Sequence, residues 1–253
     1  MGWQMSTAKL IHIGTSGWSY EHWKGPFYPM DLPKDQMLAY YSRHFSSVEI
    51  NNSFYQLPKK QTLVRWREAV PEDFLFTAKA SCYITHMKKL KNPAEAVHSF
   101  LDRICMLEDR LGPILFQLPP RWHFNGERLE AFLGILSKDF RYAFEFRDRS
   151  WLNCRTFELL SHYNAACCIY DFDGYLSPRE VTANFVYVRF HGPDGPYQGS
   201  YDHKILVDWA ETFSAWSEQG KEVFCFFDND QRGYAVHNAH YLQSLLNKRS
   251  ADP

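Results

Sequence analysis

Eight short runs rich in β-branched and aromatic residues recur along the chain. They lie at Leu10 to Gly14, Ser47 to Asn51, Phe74 to Lys79, Ile114 to Gln117, Tyr142 to Arg147, Ala166 to Asp171, Phe185 to His191 and Val223 to Asn229. Runs of this length and composition read as strands. Helical patterns separate most of them, clearest at Pro93 to Leu111, where Val97, Phe100, Leu101, Ile104, Leu107 and Leu111 return at three- and four-residue steps. Asn92 is expected to cap that helix, with Pro93 in its first position. Further patterns start at Leu129, Leu206 and Ala235, and weaker ones cover Lys34 to His44, Gln61 to Ala69 and Thr156 to Tyr163. The slot from Phe172 to Asn184, interrupted by Gly174 and Pro178, is expected to hold an irregular sixth helix or none. Strands alternating with helices, without a linker or low-complexity stretch, predict an α/β fold. The expected architecture is a single (β/α)8 barrel of TIM type, one domain over residues 1–253 with its core at about residues 10–248.

Composition narrows the partners. The 28 basic and 29 acidic side chains nearly cancel, so global charge draws the chain neither to nucleic acid nor to an anionic membrane. No apolar run approaches the roughly 18 residues of a membrane span, and Met1 to Leu10 lacks a hydrophobic signal core, which together predict a cytoplasmic protein without a membrane partner. The six cysteines show no C-x-x-C spacing and are expected to be free thiols.

In such a barrel the chemistry sits at the C-terminal strand ends, and there this chain is polar. Glu49 and Asn51 close the second strand, Lys79 the third, Gln117 the fourth, Glu145 and Arg147 the fifth, Asp171 the sixth, Arg189 and His191 the seventh, Asp228 and Asn229 the eighth. Glu145 with Arg147, and Arg189 with His191, are two residues apart and so share a face. A structural ion-pair network would explain any one of these groups. All of them together point to a cup for a small anionic ligand, held by Lys79, Arg147 and Arg189 beside Gln117, Asn51 and Asn229. Glu145, Glu49, Asp171 and His191 are the candidate acid/base groups. Glu145 is preferred to Glu49 because Arg147 shares its face. Trp18, Tyr20, Trp23, Phe27, Tyr28, Phe54, Tyr55 and Trp151 in the following loops either pack locally or wall an amphipathic pocket. The loop around Tyr197, with Gly195, Pro196 and Gly199, is a candidate lid. His237 and His240 read as one solvated helix face. No cofactor is expected; a divalent metal held by Glu49, Glu145, Asp171, His191 and Asp228 is the alternative, at an electrostatic cost from the neighbouring cations.

The strings Gly14-Thr15-Ser16-Gly17-Trp18-Ser19-Tyr20, Val48-Glu49-Ile50-Asn51-Asn52-Ser53-Phe54-Tyr55, Ile84-Thr85-His86, Phe116-Gln117-Leu118-Pro119-Pro120, Glu145-Phe146-Arg147 and Tyr187-Val188-Arg189-Phe190-His191-Gly192 resemble the YecE-like family of unknown function. The resemblance runs in order from about Ile11 to Leu246. It implies a TIM-barrel fold with these motifs, His86 included, gathered around one end, and it supplies no substrate. Similarity of that family to metal-dependent endonuclease barrels keeps nucleic-acid processing by a divalent-metal phosphodiesterase as an alternative, though the near-zero net charge disfavours it. The leading expectation is an enzyme, a hydrolase or isomerase, acting on a phosphate- or carboxylate-bearing small molecule; a non-enzymatic ligand-binding module is the third reading.

Overall fold

The computed structural model describes residues 10–251, with side chains to residue 249. The stretch read for a signal core, Met1 to Leu10, lies outside the described residues apart from Leu10. In chain order the elements are β1 (Ile11–Thr15), α1 (Met37–Tyr41), β2 (Ser47–Ile50), α2 (Asn52–Tyr55), α3 (Lys60–Glu68), β3 (Leu75–Lys79), α4 (Ala94–Ile104), β4 (Leu111–Leu118), α5 (Gly126–Gly134), β5 (Tyr142–Phe146), α6 (Cys154–His162), β6 (Ala166–Cys167), β7 (Ile169–Phe172), β8 (Tyr175–Leu176), β9 (Phe185–Phe190), α7 (His203–Glu218), β10 (Glu222–Phe227) and α8 (Tyr234–Ala251). One compact unit gathers the described residues through Val48, Tyr170–Leu176 and Asn184 onward; the other gathers Glu49–Ile169 and Ser177–Ala183.

The strand order corrects the expected barrel. The described residues form two five-stranded sheets, β1-β10-β9-β7-β8 and β2-β3-β4-β5-β6, where one closed ring of eight was expected. Two local events account for the division. The expected sixth strand breaks at Cys168: Ala166 and Cys167 pair with β5, the Cys168 N–H donates to Phe144 O at 2.8 Å, and the next residues enter the other sheet as β7. At the end of β1, a side chain stands between the Thr15 N–H and Ser47 O. The Tyr41 hydroxyl accepts from the Thr15 N–H at 2.9 Å and lies 3.2 Å from Ser47 O, to which it can donate.

Within each sheet the parallel strands are buried along almost their whole length, as the all-buried β9 and β5 show. Parallel sheets read as continuous apolar runs for this reason, with no polar alternation. Helices cover them through apolar stripes such as Val97, Phe100 and Ile104 on α4 and Leu206, Trp209, Ala210 and Phe213 on α7. Side chains of Asn125, Asn153 and Asp202 accept N–H bonds at the starts of α5, α6 and α7, satisfying donors that the first turn leaves open.

Two local expectations change, at the start and end of α4, and a third, the absence of a helix after Phe172, is met. Pro93, and not Asn92, precedes the first residue of α4; Asn92 sits at φ 46°, outside the extended geometry a cap side chain needs. The helix ends at Ile104, a tighter turn follows, and Glu108 turns to φ 51°, so the fourth strand begins at Leu111. The slot from Phe172 to Asn184 holds no helix. Asp173 and Gly174, both at positive φ, turn the antiparallel β7–β8 hairpin, the dipeptide that a tight hairpin turn favours. No helix among the described residues is long and apolar enough to cross a membrane.

His240 departs from the solvated face expected for it. Its ring lies 4.5 Å from that of Phe45 and 5.6 Å from that of His44. Burial first, then the facing His44 and His237, push its pKa down from 6.5 to about 4. Between those values the unfolded chain takes up the proton that the folded chain refuses, so this residue removes stability as pH falls from 6.5 to about 4. His240→Gln is therefore expected to flatten the fall of melting temperature over that range. Parallel melting curves for parent and variant would show this residue to be irrelevant to acid sensitivity.

Candidate functional site

In each unit the predicted residues collect at the C-terminal ends of the parallel strands. In the unit built on β2 to β6, Gln117 of β4 stands in register with Glu145 of β5, so their side chains leave the sheet side by side. Gln117 Nε2 donates to Glu145 Oε1 at 2.8 Å, and the Arg147 guanidinium pairs with the same carboxylate through Nε. Glu145 is fully buried while Gln117 keeps 8% exposure. The two-residue spacing thus places Glu145 and Arg147 together, as the strand periodicity requires.

Lys79, at the end of β3, extends its ammonium over the Phe54 ring at 4.3 Å from the centroid. The His86 ring meets the same Phe54 edge to face at 4.9 Å. His86 belongs to a wide π-type turn, Tyr83–Met87, a form that recurs at functional sites. Its Nδ1 lies 2.9 Å from Thr85 Oγ1. Burial holds its pKa below the usual value, and the charges of Lys79 and Arg147 add to that while Glu145 opposes. Burial and those two cations thus favour the neutral form of the imidazole. Beneath it, Ser53 Oγ donates to Lys79 O at 2.7 Å and fixes the start of α2 against the end of β3. Glu49 is fully buried in β2, and Asn51 Oδ1 is buried without a hydrogen-bond partner.

The second cluster belongs to the unit built on β1, β10, β9, β7 and β8. Arg189 and His191, both fully buried, meet at 3.3 Å between Nη1 and Nε2. Asp228 Oδ2 receives Arg189 Nη2 at 3.2 Å and His191 Nδ1 at 3.0 Å. A guanidinium only donates, so His191 accepts at Nε2 and gives its Nδ1 hydrogen to Asp228. Arg189 Nη2 also lies 3.5 Å from Ser16 Oγ. Asp171 borders this trio, its backbone carbonyl accepting the His191 N–H at 3.0 Å. Burial raises its pKa, and a hydrogen bond from Tyr201 and the nearby His191 partly offset the rise. The Tyr201 hydroxyl in turn accepts from the Gly192 N–H at 2.9 Å. Sequence reasoning missed Ser16 and Tyr201, for which only position in a Gly-flanked segment was a cue.

Asn229 holds a loop: its Nδ2 donates to Gly199 O at 2.9 Å and to Asn238 Oδ1 at 2.8 Å. The same loop is pinned by Tyr197 N–H to His191 O at 2.6 Å and Gly199 N–H to Gln231 Oε1 at 3.2 Å, bonds that a lid would have to break. The aromatic set divides. Trp23, Tyr28 and Trp151 are fully buried core residues, and Trp18 is nearly so. The Tyr20 hydroxyl is spent on Ser16 O at 2.7 Å. Tyr55, in contrast, is 81% exposed. All six cysteines are free thiols. Among the described residues no three His, Cys, Asp or Glu side chains are grouped as metal ligands would be.

Parallel strands with covering helices, and charged side chains gathered at the carboxyl ends of the strands, define an α/β protein. The family described as "Protein of unknown function DUF72" matches residues 12–253, and the chain belongs to it. The UPF0759 protein YunF of Bacillus subtilis (strain 168) is 28% identical, over 94% of this chain and 95% of YunF. The UPF0759 protein YecE of Escherichia coli (strain K12) is 35% identical over 141 residues, which span 54% of this chain and 48% of YecE. Those relatives agree with the YecE-like resemblance of the motifs. Among solved structures, the DUF72 family protein TM1631 of Thermotoga maritima MSB8 has a TM-score of 0.86 at 31% identity, covering 94% of this chain and 99% of that one. The DUF72 family protein EF0366 of Enterococcus faecalis V583 shares the fold, with a TM-score of 0.82 at 23% identity over 94% and 95% of the two chains.

Proposed function

We propose that this protein is an enzyme acting on a small anionic molecule by acid/base chemistry at the C-terminal ends of β3, β4 and β5. Lys79 and Arg147 hold the substrate's phosphate or carboxylate, and His86 exchanges the proton. The observation that carries this reading is the meeting of Lys79 and His86 on one Phe54 ring, with Arg147 near enough to depress the same imidazole. Two cations beside a neutral imidazole attract an anion and leave a base ready to act on it. Glu145, preferred from the sequence as the acid/base group, is fully buried and held by Gln117 and Arg147. Here it serves as a positioning residue that aims Arg147. Hydrolysis and isomerisation both suit this set.

Inorganic phosphate tests the reading directly. A ligand at ten times its Kd adds about 1.4 kcal/mol, a rise of roughly 3–6 °C in melting temperature for a chain of this size. The parent protein is expected to show that rise, and Lys79→Met, which keeps the stem over Phe54 and removes the charge, to lose most of it. A neutral sugar that raises the melting temperature where tens of millimolar phosphate does not would overturn the anion assignment. Binding of phosphate esters without turnover of any of them would leave a ligand-binding module in place of an enzyme.

A further inference from the structure

We infer that the substrate carries its phosphate on a flat aromatic ring, and that this ring lies on an exposed apolar rim formed by Tyr55, Met87 and Tyr83. The inference rests on the anion site proposed above and names what is attached to the anion. Tyr55 is 81%, Met87 71% and Tyr83 44% exposed, unusual for side chains of this size. The three are not scattered. Tyr55 ends α2, next to Phe54, whose ring it meets edge to face at 5.0 Å. Met87 and Tyr83 belong to the same turn as His86, and that turn contacts α2 through the Phe54–His86 pair. Tyr55 and His86, the sequence neighbour of Met87, thus both touch the Phe54 ring over which Lys79 extends its ammonium. A second cation, Lys88, stands over Tyr83 at 5.4 Å.

The chemistry of this border specifies its occupant. A bare phosphate or a short acid needs only the cations, and water would cover the aromatic rim at a cost. A planar ring linked to the phosphate reaches past Lys79 onto Tyr55, where face-to-face stacking is favourable for any aromatic system. The thioether of Met87 adds an adaptable, polarisable contact to ring edges. The positive charges of Lys79 and Lys88 match the phosphate and exclude a purely apolar partner. An aryl phosphate and a mononucleotide share this chemistry.

Calorimetric titration of the intact protein with inorganic phosphate, phenyl phosphate, cyclohexyl phosphate and a purine mononucleotide tests the inference. Phenyl phosphate is expected to bind about tenfold more tightly than inorganic phosphate, and cyclohexyl phosphate to fall short of phenyl phosphate. Tyr55→Ala, at an exposed position that carries little of the fold, is expected to abolish the phenyl advantage while leaving phosphate affinity unchanged, and Tyr55→Phe to keep it. Tighter binding of the mononucleotide than of phenyl phosphate would identify the ring as a base, and weaker binding a smaller arene; both retain the rim as its seat. Equal affinities for phosphate and phenyl phosphate, or a phenyl advantage that survives Tyr55→Ala, would overturn this inference and spare the anion site. Failure of phosphate and all the esters to bind would overturn both.

Discussion

Asp228→Ala is expected to lower the melting temperature by about 6–20 °C, among the largest effects of any single side-chain truncation in this chain. The reason lies in what the carboxylate holds. One oxygen, Oδ2, receives both Arg189 Nη2 at 3.2 Å and His191 Nδ1 at 3.0 Å, and both of those residues are fully buried. Removing one partner from a buried charge pair typically costs about 3–5 kcal/mol, because the remaining charge stays desolvated. For a chain of this length each kcal/mol shifts the midpoint by roughly 2–4 °C. Asp228→Asn separates charge from hydrogen bonding: its amide oxygen can still accept one of the two donors, so it is expected to lose less. A midpoint within about 1 °C of the parent for Asp228→Ala would mean that Arg189 and His191 are satisfied without it.

That cluster also shows what the sequence made legible. The strand period alone puts Arg189 and His191 on one face and Glu145 and Arg147 on another, and in each pair the two side chains touch. Local covalent geometry decides those contacts, so a short window of sequence is enough to see them. The break at Cys168 was not visible. It falls inside the apolar run Ala165-Ala166-Cys167-Cys168-Ile169-Tyr170, with no Gly or Pro to mark it, and which sheet each half joins is settled by partners far along the chain. The aromatic residues were ambiguous for a related reason. Trp151 and Tyr55 are both large rings in loops or short helices after strands, yet one is fully buried and the other 81% exposed; only tertiary packing separates them. His86 entered through the family motif, and the part in proton transfer proposed for it rests on its neighbours Lys79, Arg147 and Phe54, which come from three separate stretches of the chain.

Gly14 carries the other large expectation. Its φ is ordinary, so the requirement for glycine there is one of space: a Cβ would stand 2.0 Å from Ser47 O, 2.9 Å from Ser47 C and 3.0 Å from the Tyr41 hydroxyl. None of the first two can move aside like the tip of a flexible side chain, because they are backbone of β2, where Ser47 is fully buried. Gly14 is equally fixed on its other side by pairing with Phe226 of β10. Relieving the overlap means parting β1 from β2 and stretching the bonds through which Tyr41 joins Thr15 to Ser47. Gly14→Ala is therefore expected to cost about 3 kcal/mol or more, at the upper end for overpacking, and to lower the midpoint by at least about 6 °C or prevent folding. Adding Tyr41→Phe should not restore it, since the carbonyl and not the hydroxyl is the nearer obstacle. Gly174→Ala supplies the contrast, with φ +71° and nothing within 4 Å of the added carbon; it is expected to cost only about 1 kcal/mol of backbone strain. If the two variants melt together, close to the parent, β1 and β2 can separate freely and the Tyr41 bridge does not hold them.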